Sequence, residues 1–483
     1  MELLQGLLSM PSNYTLVCIG ISLFVYYYLQ DKVNYWAKRG VAYVPASKCL
    51  SLFIPQMLQK KTLVEVLSEQ YDLLEGHSYG GVYQLTQPTV ILFHDRGLEV
   101  EDAQGNLAEN LFSLTGDRWH TVRTKLSPAF SSAKLKVMYQ TLKGCAEELN
   151  AHLQGLFEKK DEAEIDMKDL VSRYAMDVIG ACAMGIKCNA IKDPDNCEMR
   201  KLSREFSRMY DLHVNSSELV KIFGLAGAPK DLTTFLTSVT KQDFLQIMMN
   251  ASESETQNKK EPSQNGDQTV KSEDNVFTEN IITGVISTFL SAGLDPVAAT
   301  VTFGLYELAF HPEIQERLFE EIQAARMKSG GEIEYDDIKD MQYLENAPTL
   351  SRSYILFRMC REPFQIQDSN VVIEKSVNLL VPQMCIQRDP KYFPEPMKFD
   401  PERFSKENID KILPGSYLPF GEGPRFCIAN RFALMNVKTM MMTLVSDYTL
   451  HPCARTKSRM TFDKKTFTLM PEGEVWLKLK KRN

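Results

Sequence analysis

The feature that most constrains the fold is a long apolar run, FTENIITGVISTFLSAGLDPVAATVTFGLYELAF, over residues 277–310. It is long enough to span a bilayer, so a membrane helix has to be considered. Three acidic side chains, Glu279, Asp295 and Glu307, interrupt the run, and Thr and Ser recur along it. These polar side chains favour a helix buried in a large domain over a membrane span. The run therefore predicts one long central helix.

Helical and strand patterns on either side of this run predict a mainly α-helical fold. Between about 111 and 350 apolar residues recur every three and four positions, and this pattern predicts a helix over 133–164. Residues 80–95 alternate and carry β-branched and aromatic side chains, as in a hairpin, and hairpin strands are also expected around 461–480. A polar, turn-rich stretch, 258–275, is expected to be an exposed loop. The expected fold class is mainly α with small β-sheets (α+β).

Composition excludes several classes of function. The chain has 483 residues, 44% hydrophobic and 24% charged, which is ordinary for a globular protein with a substantial core. The net charge of -7 offers no basic field for nucleic acid. Ten cysteines without a CxxC pair indicate a reducing compartment rather than a disulfide framework. The seven histidines are too far apart for a zinc-binding helix, so any metal needs another ligand.

The amino terminus predicts a membrane anchor. The segment YTLVCIGISLFVYYYLQ, residues 14–30, has no charge, and its seventeen residues are at the lower limit for a spanning helix. Lys32, Lys38 and Arg39 follow it, which by the positive-inside tendency leaves the rest of the chain cytoplasmic. A signal peptide would need positive charge before the apolar segment and a cleavage site after it, and neither is present. Residues 1–31 are therefore expected to be an uncleaved anchor.

A cysteine near the carboxyl end has unusual neighbours. Most buried cysteines are inert apolar residues, but Cys427 lies in FGEGPRFCIA, residues 420–429. Gly421 and Gly423 permit a tight turn, and Arg425 places a guanidinium two residues before the sulfur. The helical pattern that follows would direct amide groups at the thiolate. This setting is expected to lower the thiol pKa and to suit iron, with the arginine pairing a carboxylate such as a haem propionate.

The loop FGEGPRFCIA resembles the haem-binding loop of the cytochrome P450 superfamily. Phe, Gly, Gly, Arg and Cys stand at the family spacings, and Ala429 stands where glycine is commoner. The resemblance implies a P450 fold, with the long central helix over a thiolate-ligated haem. It makes Cys427 the axial ligand of the iron, and Phe420 and Arg425 haem-binding residues. The implied cofactor is haem b, iron protoporphyrin IX.

Other segments resemble the same family in the expected order. WHTVR is similar to WxxxR and implies that Trp119 and Arg123 contact a haem propionate, and LFRMC implies the same role for Arg358. The stretch DPKYFPEPMKFDPERF, residues 389–404, matches the proline-rich segment ending in PERF. Further segments are similar to the insect microsomal branch called family six: YWAKRGVAYVP (35–45), DRG (95–97), LSPAF (126–130) and LYELAFHPEIQERL (305–318).

The central helix departs from the family pattern A-G-x-D/E-T-T, in which the acid and threonine deliver protons during oxygen activation. Here it reads AGLDPVAAT, which keeps Ala292 as a haem contact and Asp295 as the catalytic acid. Pro296 and Val297 occupy the hydroxyl positions. Thr300, one turn later, is expected not to replace the missing alcohol by its spacing. Proton delivery therefore lacks its usual hydroxyl group.

The segment LENAPTLSRSYILFR, residues 344–358, replaces the family's E-x-x-R helix, whose Glu and Arg lock to the arginine of PERF. Arg403 of PERF is then expected to lack its partners. A buried arginine without a carboxylate would cost several kcal/mol. Either Glu345 or Arg352 shifts into the gap, or haem incorporation is impaired.

The resemblance implies a monooxygenase that inserts one atom of O2 into a lipophilic small molecule, with electrons from NADPH–cytochrome P450 reductase, and with cytochrome b5 as a second partner. It implies an endoplasmic reticulum membrane location with the catalytic domain, residues 32–483, facing the cytoplasm. Within that domain we expect a β-rich part over about 40–110, a helical core over about 111–360 and a haem-loop region over about 380–483. Two alternatives stay open: a haem-thiolate isomerase or dehydratase acting on a hydroperoxide without a reductase, and a catalytically degenerate paralogue.

Overall fold

The computed structural model describes residues 20, 27–84, 86–93, 111–112, 114–201, 203, 279–347, 355–366, 369–466 and 468–482. The chain divides into two compact units. Unit 1 comprises Met1–Ala103, Ile355–Gln387 and Pro414–Ser416, and unit 2 comprises Gln104–Tyr354, Arg388–Leu413 and Tyr417–Asn483. The predicted loop over 258–275 and most of the predicted anchor lie outside the described residues, although residues 27–33 at the anchor's end are helical.

The helices described are, in chain order, α1 (Ala46–Met57), α2 (Leu63–Asp72), α3 (Gly116–Leu126), α4 (Ser132–Leu156), α5 (Met167–Ile179), α6 (Glu279–Phe310), α7 (Pro312–Lys328), α8 (Tyr335–Asp340), α9 (Gln342–Asn346), α10 (Gln383–Arg388) and α11 (Asn430–Asp447). The strands described are β1 (Tyr79–Gln84), β2 (Gln87–Leu92), β3 (Glu162–Asp166), β4 (Leu356–Met359), β5 (Phe364–Gln365), β6 (Val372–Ile373), β7 (Asn378–Val381), β8 (Tyr448–His451) and β9 (Trp476–Lys481). This helix-rich content with small sheets confirms the expected fold class.

Unit 1 is built around a four-stranded sheet in the order β1-β2-β7-β4. Strands β1 and β2 are antiparallel, with Tyr79 opposite Leu92, so the predicted hairpin is confirmed. Strand β2 runs parallel to β7, which lies much later in the sequence. Helix α2 begins at a capping box, in which Thr62 and Glu65 exchange hydrogen bonds with each other's backbone N–H groups.

The predicted central helix is confirmed as α6, which packs in unit 2 against α5 and α11. Its residues are buried on several sides, among them Val285, Leu294, Val301 and Leu308. A helix that is apolar all round needs such a covering, since no single face of it tolerates water. By length and composition, α6 is the one helix among the described residues that could cross a membrane. Its place in the hydrophobic core of unit 2 supports the interpretation as a buried helix.

Two predictions about the remaining elements were wrong in detail. The helix predicted over 133–164 ends at Leu156, because the residues after it form β3. The carboxyl-terminal residues do not form a simple hairpin: Phe462 and Pro471 make an isolated bridge, while β9 lies between β3 and β8. Both differences have one cause, since β9 satisfies its backbone N–H and C=O groups with two strands that are distant in sequence.

Candidate functional site

The cysteine loop is a tight turn that leads into α11. Gly421 and Gly423 have φ angles of 78° and 74°, a left-handed conformation that glycine adopts at little cost. The backbone N–H of Cys427 donates to the carbonyl of Phe420 at 2.9 Å and closes the turn. Helix α11 begins three residues later, with a hydrogen bond from the Ala433 N–H to the Ala429 carbonyl. The two glycines therefore allow the turn whose closing hydrogen bond is made by Cys427.

The thiol of Cys427 does not have the lowered pKa that the sequence predicted. Burial raises its pKa, and this effect outweighs the N–H of Ala429 and the charge of Arg123, both of which lower it. The loop by itself therefore favours the neutral thiol. A bound metal cation would supply the charge that the thiolate needs, because coordination deprotonates a thiol outright.

Arg123 and Trp119 lie one turn apart on α3, so their side chains share a face. Nη2 of Arg123 donates to the carbonyl of Phe426, the residue before the cysteine, at 2.7 Å. Burial lowers the pKa of Arg123, and the nearby Cys427 opposes that shift. The structure thus brings the WxxxR segment to the cysteine loop, although the two are some 300 residues apart in sequence.

Arg425 bridges the loop and the start of α3. Its Nη1 donates to the carbonyl of Leu111 at 2.8 Å, and its Nη2 to that of Leu114 at 2.6 Å. The guanidinium lies 4.0 Å from the centre of the Trp119 ring, a cation–π contact. The Nε1–H of Trp119 is buried and has no hydrogen-bond acceptor within the described part of the chain. A buried donor without an acceptor is costly, so this position suits an acidic group from a ligand.

The residues around Cys427 fit haem. A soft sulfur ligand lies beside two guanidinium groups and a buried indole N–H, which are donors suited to carboxylates such as propionates. Phe420 lies across the turn from Cys427, with its ring 6.4 Å from that of Phe426. Arg358 belongs to unit 1, on β4, where Nη1 donates to its neighbour's carbonyl at 2.8 Å.

One stripe of α6 is partly open. Phe289, Ala292, Pro296 and Thr300 recur at three and four residues, which places them on one helix face, and each keeps some exposure. Gly293 packs elsewhere: a Cβ added there would lie 2.5 Å from Cδ1 of an isoleucine on α5. The glycine of the A-G-x-D pattern therefore allows close helix packing, while the alanine faces open space.

Asp295 is a half-buried acid with a raised pKa. Burial raises its pKa from 3.8 to about 6, while the charge of Lys168 and a hydrogen bond with Thr468 lower it in part. Lys168 donates to the carbonyl of Pro471 at 2.7 Å, and burial lowers its pKa. A carboxyl group that titrates near pH 6 can both accept and release a proton, as a general acid or base must.

The hydroxyl of Thr300 is committed to its own helix. It donates to the carbonyl of Pro296 at 2.6 Å, so it does not extend from Asp295 as the family's threonine would. Pro296 has no N–H, and the helical bond to the carbonyl of Ala292 is therefore missing. The expectation that Thr300 does not replace the absent alcohol agrees with this geometry.

The segment that replaces E-x-x-R makes a different contact from the one expected. Glu345 pairs with Lys438 of α11 at 2.7 Å rather than with Arg403. Arg403 is half-buried and donates to the carbonyls of Pro394 and Glu395 at 2.9 and 3.2 Å. Backbone carbonyls of its own loop therefore serve as acceptors for Arg403, while the predicted cost of a buried arginine without a carboxylate stays a prediction. Arg352, the other proposed replacement, lies outside the described residues.

Sequence reasoning missed Lys168, Thr468 and Lys438. Lys438 had a signal, since it is a lone charge inside the apolar pattern RFALMNVKTMMMTLV. A single charge on the buried face of a helix needs a partner. Lys168 and Thr468 had no such signal in the sequence, because only the fold brings α5 and the carboxyl-terminal loop to Asp295.

Comparison with known proteins identifies the family to which this chain belongs. The family model for cytochrome P450 matches residues 90–478. The chain is 31% identical to cytochrome P450 6j1 of Blattella germanica, with 97% of each chain covered, and 30% identical to cytochrome P450 6k1 of the same organism, with 89% of this chain and 90% of the relative covered. It is 29% identical to the probable cytochrome P450 6a14 of Drosophila melanogaster, with 97% and 99% covered. The chain therefore belongs to the cytochrome P450 superfamily and resembles its insect family-six members.

Proposed function

We propose that this chain is a monooxygenase that inserts one atom of O2 into a lipophilic small molecule, with haem b held by Cys427. Haem-thiolate monooxygenation is the general chemistry of its family. The observation that carries the proposal for this chain is the buried Trp119 N–H, which meets no acceptor among the described residues and lies beside Arg425. A haem propionate would satisfy it.

The residues of the loop and of α3 would hold the cofactor. Cys427 would supply the sulfur ligand, and Arg123, Arg425 and Trp119 would supply donors for the propionates. Thiolate-ligated haem activates O2 and inserts one oxygen atom into a C–H or C=C bond. Partial burial of Cys427 favours this role, since a half-buried thiol is less open to the oxidation that exposed thiolates undergo.

Proton supply is where we expect this enzyme to differ from its family. Asp295, whose pKa is raised to about 6, can exchange a proton near that pH, but the positions after it carry proline and valine, and the Thr300 hydroxyl is bonded to Pro296. Protons from Asp295 would therefore pass through water, without an intervening alcohol. We expect slower product formation and more NADPH consumed per product than in a relative with the threonine.

The electron donors and the membrane location that we propose depend on the same assignment to haem-thiolate monooxygenation. We propose NADPH–cytochrome P450 reductase as the electron donor, with cytochrome b5 as a second donor. The apolar segment 14–30 followed by Lys32, Lys38 and Arg39 supports an anchor over residues 1–31 in the endoplasmic reticulum membrane, with residues 32–483 on the cytoplasmic side.

The substrate would be lipophilic, because the open stripe of α6 is mostly apolar. Phe289, Ala292 and Pro296 offer carbon surface, and the polar group of Thr300 is turned to its own helix. A ligand against this surface would gain from burying apolar area and would find few hydrogen-bond partners there.

A second candidate is an isomerase or dehydratase that acts on a hydroperoxide. The commitment of the Thr300 hydroxyl to Pro296 favours it, since a substrate with its own O–O bond requires neither reductase electrons nor the same proton delivery. The reaction would take place at the same cysteine-bound haem.

The first test is the carbon monoxide difference spectrum of the reduced full chain. A thiolate-type Soret band is expected, and Cys427→Ala should abolish it; a chain that shows no such band is the degenerate paralogue. Given a band, NADPH consumption with reductase and a lipophilic substrate supports the monooxygenase. Turnover of a lipid hydroperoxide without reductase supports the second candidate instead.

A further inference from the structure

Lys438 is a buried lysine on the helix that follows the cysteine loop, eleven residues after Cys427. Its side chain is 3% exposed. The ammonium donates to Oε2 of Glu345 at 2.7 Å, to the carbonyl of Ile338 at 3.1 Å and to that of Lys339 at 3.3 Å. An ammonium has three N–H donors, so this set satisfies it completely. One side chain thus joins α11 to α9 and to the last turn of α8.

This buried ion pair costs desolvation energy that an apolar contact would not. Removing an ammonium from water costs several kcal/mol, and a methionine of similar length could fill the same space without charge. The neighbours of Lys438 on α11, Val437, Thr439 and Met440, are buried as well. What the ion pair adds over an apolar contact is direction: it is satisfied only when α8, α9 and α11 take one mutual position.

A second polar contact lies on the same face of α11. Arg431 precedes Lys438 by seven residues, about two turns, so both side chains point the same way. Nη2 of Arg431 donates to the hydroxyl of Tyr335 at 2.8 Å and to that of Ser132 at 3.1 Å. Tyr335 begins α8, and the carbonyls that Lys438 binds are in its last turn. Helix α11 therefore contacts both ends of α8 through charged side chains.

Helix α9 is also held by contacts with α7, which is earlier in the chain. Both oxygens of Glu321 on α7 accept the N–H groups of Tyr343 and Leu344 at the start of α9, at 2.9 and 2.7 Å. Arg317, also on α7, lies 4.6 Å from the centre of the Tyr343 ring. Helix α9 is thus a fixed support, and Glu345 presents its carboxylate to Lys438 from that support.

We propose that the Lys438–Glu345 pair positions α11 and, through it, the Cys427 loop, so that the sulfur can ligate haem iron. The proposal rests on the proposed function. Lys438 and Glu345 are positioning residues, since neither touches Cys427. The link is α11 itself, whose first turn carries the hydrogen bond from Ala433 to Ala429 at the end of the loop.

The experiment compares variants of the full chain by two measurements: thermal unfolding, followed by far-ultraviolet circular dichroism, and the share of bound haem that gives the thiolate-type Soret band with carbon monoxide. Lys438→Met leaves the carboxylate and two carbonyls without their donor and should lower the unfolding temperature by about 5 °C. Lys438→Met with Glu345→Met removes the uncompensated charge and should unfold within about 2 °C of the parent. We expect both variants to lose much of the thiolate-type band.

The double variant separates positioning from stability. Parental unfolding with a reduced thiolate-type share supports the proposal, whereas a full thiolate-type band overturns it. If the double variant does not fold, Lys438→Met with Glu345→Gln gives the decision, since it removes both charges with little change of shape at position 345; a reduced thiolate-type share supports the proposal and a full one overturns it. Lys480→Met, which breaks an exposed pair with Glu162, is the control and should change neither measurement. A parent without the band refutes the proposed function; a parental band that persists in the variants refutes the positioning role alone.

Discussion

Replacing Asp295 by asparagine is expected to stabilise the protein at alkaline pH and to leave its stability unchanged at acid pH. The folded protein raises the pKa of this carboxyl from 3.8 to about 6, so it holds the proton more tightly than the unfolded chain does. The contribution of Asp295 to stability is therefore greatest below pH 3.8 and is lost as the pH rises through 6. A shift of that size corresponds to about 3 kcal/mol.

Asparagine has nearly the same shape and keeps an oxygen that accepts a hydrogen bond from Thr468. It does not ionise, so the variant avoids the cost of a buried carboxylate. The neighbouring Lys168 loses a favourable charge, which offsets part of the gain. We expect Asp295→Asn to be more stable than the parent by about 2 kcal/mol near pH 8 and to match it near pH 4.

The measurement is urea unfolding of the full chain in detergent, followed by circular dichroism at several pH values. Thr468→Val serves as the companion variant: it removes the hydrogen bond that lowers the pKa of Asp295, so the decline of stability with pH should become larger. A variant Asp295→Asn that is less stable than the parent at every pH would refute the reasoning. It would mean that the charge of Lys168 outweighs burial and keeps the carboxylate ionised.

Three further changes test the site. Trp119→Phe removes the buried N–H that lacks a described acceptor but keeps a ring under Arg425; haem content by pyridine haemochromogen assay should fall, while the haem-free chain should unfold at an equal or higher temperature. Pro296→Thr restores a hydroxyl after the acid and should raise the ratio of product formed to NADPH consumed; an unchanged ratio would show that water already delivers the proton. Gly293→Ala should destabilise the fold by about 1–3 kcal/mol in urea unfolding, because the added Cβ meets Ile179, whereas Gly144→Ala meets nothing and should be neutral or stabilising.

Local patterns predicted the elements that local chemistry determines. The apolar run 277–310 was long and uniform enough to identify α6, and alternation identified the β1–β2 hairpin. The resemblance of WHTVR to WxxxR paired Trp119 with Arg123, and the structure shows that both lie on one face of α3. Wherever an element depended on a distant partner the prediction failed, as with β3 and β9, which satisfy each other's backbone groups.

The sequence by itself determined the composition of the cysteine loop: two glycines that permit a tight turn and an arginine two residues before the sulfur. Only the tertiary structure decided how these groups behave. Burial raises the pKa of Cys427, whereas the neighbouring residues alone predicted a lower one. Burial also raises the pKa of Asp295 to about 6. The tertiary structure also pairs Glu345 with Lys438, and Arg403 donates to backbone carbonyls instead. The physical reason is that desolvation and ion pairing depend on what packs around a group in space, and those neighbours come from segments hundreds of residues away.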